Sequence, residues 1–337
     1  MRHALWITRF DWEDKEALTG LVSMALKVGV TDLLMQVRGA GDAIYRSDVA
    51  PASAKIAGRL GFDPRWDPLE LVCDLAGRQE NARVHAWVNA LSGWPASSLE
   101  ACNGPEPSVE GQPNHLLLRH PDAVLVDKSG EPMPCPNPTD YVWVSPRHEG
   151  VADELVAVTE ELVDRYPIAG VHLDRIRYPA EGWFDPADGS RSADGITDLV
   201  SAIGRRLPED LELTAAIMPD YGVELGGEPA HLAQYGQDGW RWVEEGIVDS
   251  VMPMVYTTIT EGEPWSWDRL IEEHLDALPE GTCWLPLYTE HDEAMLRLQA
   301  RLAREREVIG VAWYSAGLIQ TYDRWSVVRA TVNALDD

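Results

Sequence analysis

The chain has 337 residues, 45% of them apolar, and a formal net charge of −28. A charge of that sign and size repels nucleic-acid phosphates and anionic membrane surfaces at long range, so neither is an expected partner. No apolar run approaches the roughly 18 residues of a membrane span, and four lysines against 24 arginines point to a GC-rich genome or a high-salt habitat.

Short β-rich runs alternate with helical patterns along the chain, which predicts βα units around a parallel sheet. The first run is Ala4 to Arg9. Its Leu5-Trp6-Ile7 reads as a strand rather than the apolar stretch of a signal peptide, so the expected location is cytoplasmic, or exported if a leader has been removed. Leu18, Leu21, Val22 and Ala25 then carry a helical period. Asp32 to Val37 is the second strand, leading into Arg38-Gly39-Ala40-Gly41-Asp42. Two glycines there permit close backbone approach to a ligand, which Arg38 and Asp42 are expected to bind. The stretch lacks the glycine spacing and Lys-Ser/Thr ending of nucleotide loops, so a sugar or carboxylate is expected.

The third strand, Val84 to Ala90, puts His85, Trp87 and Asn89 on one face: Asn89 at the end to bind a hydroxyl, His85 deeper as a core histidine. Residues 91–146 are rich in Pro, Gly and Asn and too long for an ordinary loop, so an excursion over the barrel mouth is expected. A helix through Val151, Leu155, Val158 and Leu162 precedes the fourth strand, Gly170 to Asp174. Another, through Ile196, Leu199, Val200, Ile203 and Leu207, follows it. Leu211 to Met218, Ser250 to Tyr256, Thr282 to Tyr288 and Gly310 to Ser315 complete a set of eight. Eight parallel strands with covering helices close most naturally into a single (β/α)₈ barrel over 1–337, a doubly wound open sheet being the alternative.

In a barrel, a polar side chain at the last position of a strand points into the mouth. By that rule Asp174 is the central residue, with His172 on its face and Arg177 and Tyr178 just beyond. Asp220 follows strand five and Glu290 strand seven, while Tyr256 and Trp313 stand near the ends of strands six and eight. Fourteen Trp and ten Tyr against three Phe suit sugars, whose C–H faces stack on aromatic rings with polar tips. Cys73, Cys102, Cys135 and Cys283 show no zinc-ligand spacing, so the expectation is reduced thiols, no metal and no cofactor.

Taken in order, these segments resemble the glycoside-hydrolase-like family 10 proteins. The resemblance is carried by Trp6-Ile7-Thr8-Arg9, Gln36-Val37-Arg38-Gly39-Ala40-Gly41-Asp42-Ala43, Phe62-Asp63-Pro64, Asp67-Pro68-Leu69, His85-Ala86-Trp87-Val88-Asn89, Val171-His172-Leu173-Asp174-Arg175-Ile176-Arg177-Tyr178-Pro179 and Met252-Pro253-Met254-Val255-Tyr256. It implies a (β/α)₈ fold and hydrolysis of a glycan, with bacterial relatives linked to peptidoglycan or other wall sugars. The chain departs from the pattern at Arg175, where relatives carry an acidic or aromatic residue.

Glycoside hydrolysis generally uses two carboxyl groups. Asp174 is expected to be nucleophile or general base, with Glu290 or Asp220 as the acid, a choice that spacing leaves open. With N-acetylated sugars the substrate's own amide can replace the nucleophile. Arg38, Asp42, Asn89, His172, Arg177, Tyr178, Tyr256 and Trp313 are the expected substrate contacts. The rival readings are a carbohydrate-binding barrel without turnover and a metal-dependent hydrolase, which needs a His/Asp cluster that no HxH at strand one supplies. Sugar, linkage and oligomeric state stay open.

Overall fold

The structure is a computed structural model, and it is described for every residue except Glu100, Glu181, Tyr221, Val223, Gly226, Gly227, Glu307 and Asp337. The main sheet consists of β1 (Arg2–Ile7), β2 (Asp32–Arg38), β3 (Arg83–Asn89), β4 (Gly170–Asp174), β5 (Glu212–Ile217), β6 (Ser250–Pro253), β7 (Trp284–Tyr288) and β8 (Gly310–Tyr314). All eight are parallel, in the order β6-β5-β4-β3-β2-β1-β8-β7. A bridge between Val251 and Cys283 brings the two edges together, so the sheet is a nearly closed (β/α)₈ barrel rather than an open one.

A helix follows each strand: α1 (Lys15–Lys27), α2 (Pro68–Ala76), α3 (Glu149–Arg165), α4 (Ala193–Gly204), α5 (Gly239–Glu244), α6 (Trp267–Ala277), α7 (Glu293–Arg304) and α8 (Trp325–Asp336). Their starts are locally encoded. Asp14, Asp67, Ser192 and Asp292 each accept a hydrogen bond from a first-turn amide, and Pro68 pre-sets the first turn of α2. Among the described residues, no helix is long and apolar enough to cross a membrane.

Strand alternation divides the core in two. Ala4, Trp6, Leu34, Trp87, Met252, Trp284 and Ala312 fill the barrel interior. Leu5, Ile7, Leu33, Met35, Val84, Val88, Val171 and Leu173 face the helices. Some polar groups inside are paired: His85 Nε2 lies 2.9 Å from Asp32, while its Nδ1 has no partner, and Arg2 links Asp32 to Glu212.

Between β3 and α3 the chain forms a two-stranded antiparallel sheet, Ser92–Pro95 with Tyr141–Trp143, and a short helix, Leu116–Arg119. This segment overturns one expectation. Cys102 and Cys135 are bonded, not reduced, because the segment folds back and sets their Cα atoms 5.4 Å apart, a proximity that spacing in the chain does not show. Cys73 and Cys283 are free and buried, and burial pushes both thiols up to about 12. Alkylation of the denatured chain is therefore expected to add two groups without reductant and four with it, read by intact mass; four adducts without reductant would remove the bridge.

Candidate active site

The site grows from the end of β4. Register pairs Asp174 with Asn89 at the end of β3, and the Asp174 carbonyl accepts from the Ala90 amide at 2.8 Å. Immediately after the strand, Arg175 adopts φ = 52°, the left-handed region that a side chain rarely enters. That turn aims the Arg175 amide back at Asp174, whose Oδ1 accepts from it at 2.6 Å. Asp174 is half-buried; Asn89 is buried, with an Oδ1 that has no hydrogen-bond partner.

Two guanidiniums and a set of rings adjoin it. Arg175 lies 4.4 Å from the Tyr141 ring and 5.7 Å from Trp143, so the segment after β3 reaches this end of the barrel. Arg177 lies 5.2 Å from Trp143 and 5.4 Å from Tyr235. Burial, and then the neighbouring charge of Arg175, push Arg177 down to about 10, against the pull of Asp174 and Asp220. Tyr256 stacks 5.1 Å from both Tyr288 and Tyr314. Burial first, and the Asp174 carboxylate second, push Tyr314 up to about 12; burial holds Tyr256 well above its ordinary value. Both therefore stay protonated, as hydroxyl donors, through the neutral range.

The two proposed acids sit in opposite environments. Asp220 is buried, its Oδ1 has no hydrogen-bond partner, and burial raises its pKa. Glu290 is exposed and accepts from the hydroxyls of Tyr288 and Tyr322, which hold its pKa below the usual carboxylate range.

Five expected contacts lie away from this mouth. Arg38 is buried and ion-paired to Glu154 of α3 at 2.8 Å, because a bulge in β2 moves it from the inward phase of Gln36 to pair with outward-facing Val88. His172 is inside the barrel, accepting from the Trp6 indole at 3.2 Å and paired with Thr214 at 2.8 Å; burial pushes it down to about 3 and keeps it neutral. Tyr178 is buried, its hydroxyl accepting from the Ser192 amide at the start of α4. Trp313 packs among the helices, since alternation in β8 sends Ala312 and Tyr314 inward and Trp313 outward. Asp42 is held by Arg9 and the Ala40 amide and lines a separate cavity of about 350 Å³ with Phe10 and Trp94. Of the other expected residues, Asn89 pairs in register with Asp174, Arg177 feels the charges of both Asp174 and Asp220, and Tyr256 feels that of Asp174.

Arg175, Tyr314, Tyr288, Tyr141, Trp143 and Tyr235 were not among the expected contacts. Tyr288 and Tyr314 were findable, as the last residues of β7 and β8. Tyr141, Trp143 and Tyr235 come from outside the barrel strands and carry no such signal. Among the described residues, His120, Asp122 and His148 bring possible metal ligands within 4.8 Å. The chemistry does not fit: His148 Nδ1 accepts from the Gly150 amide, which puts the ring proton on Nε2, the atom facing Asp122 at 3.5 Å.

Comparison with known proteins agrees with this architecture. The chain is 24% identical over 337 residues to the glycosyl hydrolase DigH of Escherichia coli K12, and covers 66% of its length. It is 23% identical over 303 residues to the glycosyl hydrolase YngK of Bacillus subtilis, and covers 54% of it. These matches take in 90% and 76% of this chain, which thus spans just under two thirds of DigH and about half of YngK. Among solved structures, the PgaB glycoside hydrolase domain of Bordetella bronchiseptica superposes with a TM-score of 0.67 at 13% identity, covering 98% of both chains. The catalytic domain of β-amylase from Paenibacillus polymyxa does so with 0.62 at 8% identity, again over 98% of both, and each shares the fold. The family model described as glycosyl hydrolase-like 10 matches residues 1–191, more than half of the chain, and with the barrel it places this protein in that family.

Proposed function

We propose that the protein hydrolyses glycosidic bonds, with Asp174 as nucleophile or general base and Asp220 as the general acid. The observation that carries the choice is the contrast between Asp220, buried and raised, and Glu290, exposed and lowered. An acid must hold its proton until the leaving oxygen needs it, which burial favours and two donating tyrosines oppose. The Asp220 Oδ1 is buried and has no hydrogen-bond partner in the free protein. Asp174 then attacks the anomeric carbon or activates a water, according to its separation from Asp220 with substrate bound. Asn89 and Tyr256 offer hydrogen bonds to sugar hydroxyls, and the three stacked tyrosines a face for the ring.

The pH profile tests the assignment. The rate is expected to fall as pH rises through the pKa of Asp220, because the acid loses its proton; burial moves that limb above the ordinary carboxyl value. Asp220→Asn is expected to remove the limb, lower kcat about 100-fold on poor leaving groups, and recover with activated aryl glycosides. Glu290→Gln is expected to stay within about threefold of wild type. The opposite pattern would hand the acid role to Glu290. The substrate screen is product release from bacterial-wall and plant-wall glycans at low and high salt; binding without cleavage of any would make the protein a carbohydrate-binding barrel instead.

A further inference from the structure

The stretch Gly39-Ala40-Gly41-Asp42 after β2 builds a cavity beside the barrel mouth. Its glycines make room for side chains: a Cβ on Gly39 would strike the Arg9 guanidinium, and one on Gly41, where φ is 74°, would strike the His115 ring. Arg9 thereby reaches Asp42, which also accepts from the Ala40 amide at 2.9 Å. Burial opposes ionisation of Asp42, but the charge of Arg9 and hydrogen bonds from Ser53 and Ala40 hold its carboxyl below the usual range, so it anchors Arg9 as a carboxylate. The cavity, of about 350 Å³, falls within the size range of small-ligand pockets, and Phe10, Leu60, Trp94 and Pro95 give it an apolar wall. Phe10 is 75% exposed, the most exposed aromatic ring among the described residues. Its place is fixed nonetheless. Thr8 Oγ1 accepts from the Phe10 amide at 3.1 Å and donates to Asp11 at 2.6 Å, and the Arg9 guanidinium lies 4.9 Å from the ring.

We propose that this cavity is a distal subsite, in which an uncharged sugar ring of the glycan lays its C–H face on Phe10 against the Trp94 wall and accepts a hydrogen bond from Arg9, while the bond to be cut lies at Asp174. The proposal rests on the glycosidase reading and adds that the protein grips an oligosaccharide rather than a single sugar. Two walls of the cavity run into the mouth. Pro95 pairs in register with Tyr141, whose ring lies 4.4 Å from the guanidinium of Arg175, the residue after Asp174. The turn that carries Phe10 ends at Asp11, which acts on Tyr314 of the mouth after burial and Asp174 in strength. Charge balance favours a neutral ring: Asp42 offsets Arg9, and the charges of Glu13, Asp14 and Asp11 act on Lys55 in the same wall. A lone exposed ring is ordinary on a protein surface. Phe10 differs because a second aromatic ring and an anchored guanidinium share its cavity, the pairing of apolar face and polar donor that a sugar requires. A ring held in place before binding also costs little to order.

The test is calorimetric titration of Asp174→Asn, chosen so that the chain is not cut, with the disaccharide and the hexasaccharide of three uncharged series: cello-, malto- and N-acetylated chito-oligosaccharides. In at least one series the hexasaccharide is expected to bind more tightly than the disaccharide by about tenfold or more, the order that one well-stacked ring contributes. Phe10→Ala in the same background is expected to bring that ratio to about threefold or less, and Phe10→Trp to keep it, because the larger ring preserves the stacking face. Phe10 is exposed, so neither change endangers the fold. Equal affinity for both lengths in every series, no binding of any hexasaccharide, or a ratio unchanged by Phe10→Ala would overturn the subsite. Cleavage by the wild-type protein is scored separately, so the two readings fail separately. A ratio that depends on Phe10 with no glycan cleaved sinks the glycosidase and keeps the subsite, whereas cleavage with a ratio indifferent to Phe10 does the reverse.

Discussion

Asp174→Asn is expected to lower kcat about 1,000-fold while substrate affinity changes little. The amide has the shape of the carboxylate, and its oxygen can still accept from the Arg175 amide that now bonds Oδ1 at 2.6 Å. The left-handed turn at Arg175 and the pairing of β4 with β3 are therefore kept. What is lost is the negative charge proposed to attack carbon or take a proton from water, while Asp220 is the proposed acid and Glu290 is tied to two tyrosines. Kinetics on a cleaved glycan, with affinity measured on the inactive protein, decide the matter. A kcat within tenfold of wild type would remove Asp174 from the chemistry.

Glu154→Leu is expected to cost about 3 to 5 kcal/mol of stability, because it leaves the buried Arg38 guanidinium without its carboxylate. Arg38 also donates to the carbonyls of Asn89 and Ala90, so the strain falls on the end of β3, next to Asp174. Replacing both partners, Arg38→Met with Glu154→Leu, is expected to recover a large part of the loss, since an apolar pair of similar volume needs no counter-charge. Urea unfolding of the two single variants and the double measures the coupling. A single substitution costing under about 1 kcal/mol would show that water reaches Arg38 and that the pair is not structurally required.

That pair also shows where sequence reading stops. Arg38 precedes two glycines at a strand end, which is where a ligand-binding arginine belongs, and simple alternation continues the inward phase of Leu34 and Gln36 to it. One extra residue in β2 reverses the phase, and nothing in the one-dimensional pattern announces a bulge. Trp313 is the opposite case. Alternation from Ala312 already sends it outward and Tyr314 inward, so regular strand geometry selects Tyr314. His172 fails for depth: it shares the face of Asp174 but lies two residues further into the barrel, where Trp6 and Thr214 take both ring nitrogens.

By itself, then, the sequence determined the eight strands, the helices between them, the barrel and the position of Asp174, because these follow from local periodicity and from the rule that strand ends carry polar groups. It also contained the pattern that resembles a family, which the match over residues 1–191 makes definite. Only the tertiary structure decided the environments. The burial that separates Asp220 from Glu290, the rings of Tyr141, Trp143 and Tyr235 against Arg175 and Arg177, and the Cys102–Cys135 bridge all depend on segments distant in the chain. Charge, proton affinity and reactivity are set by what surrounds a group in space, and that neighbourhood exists only once the barrel has closed.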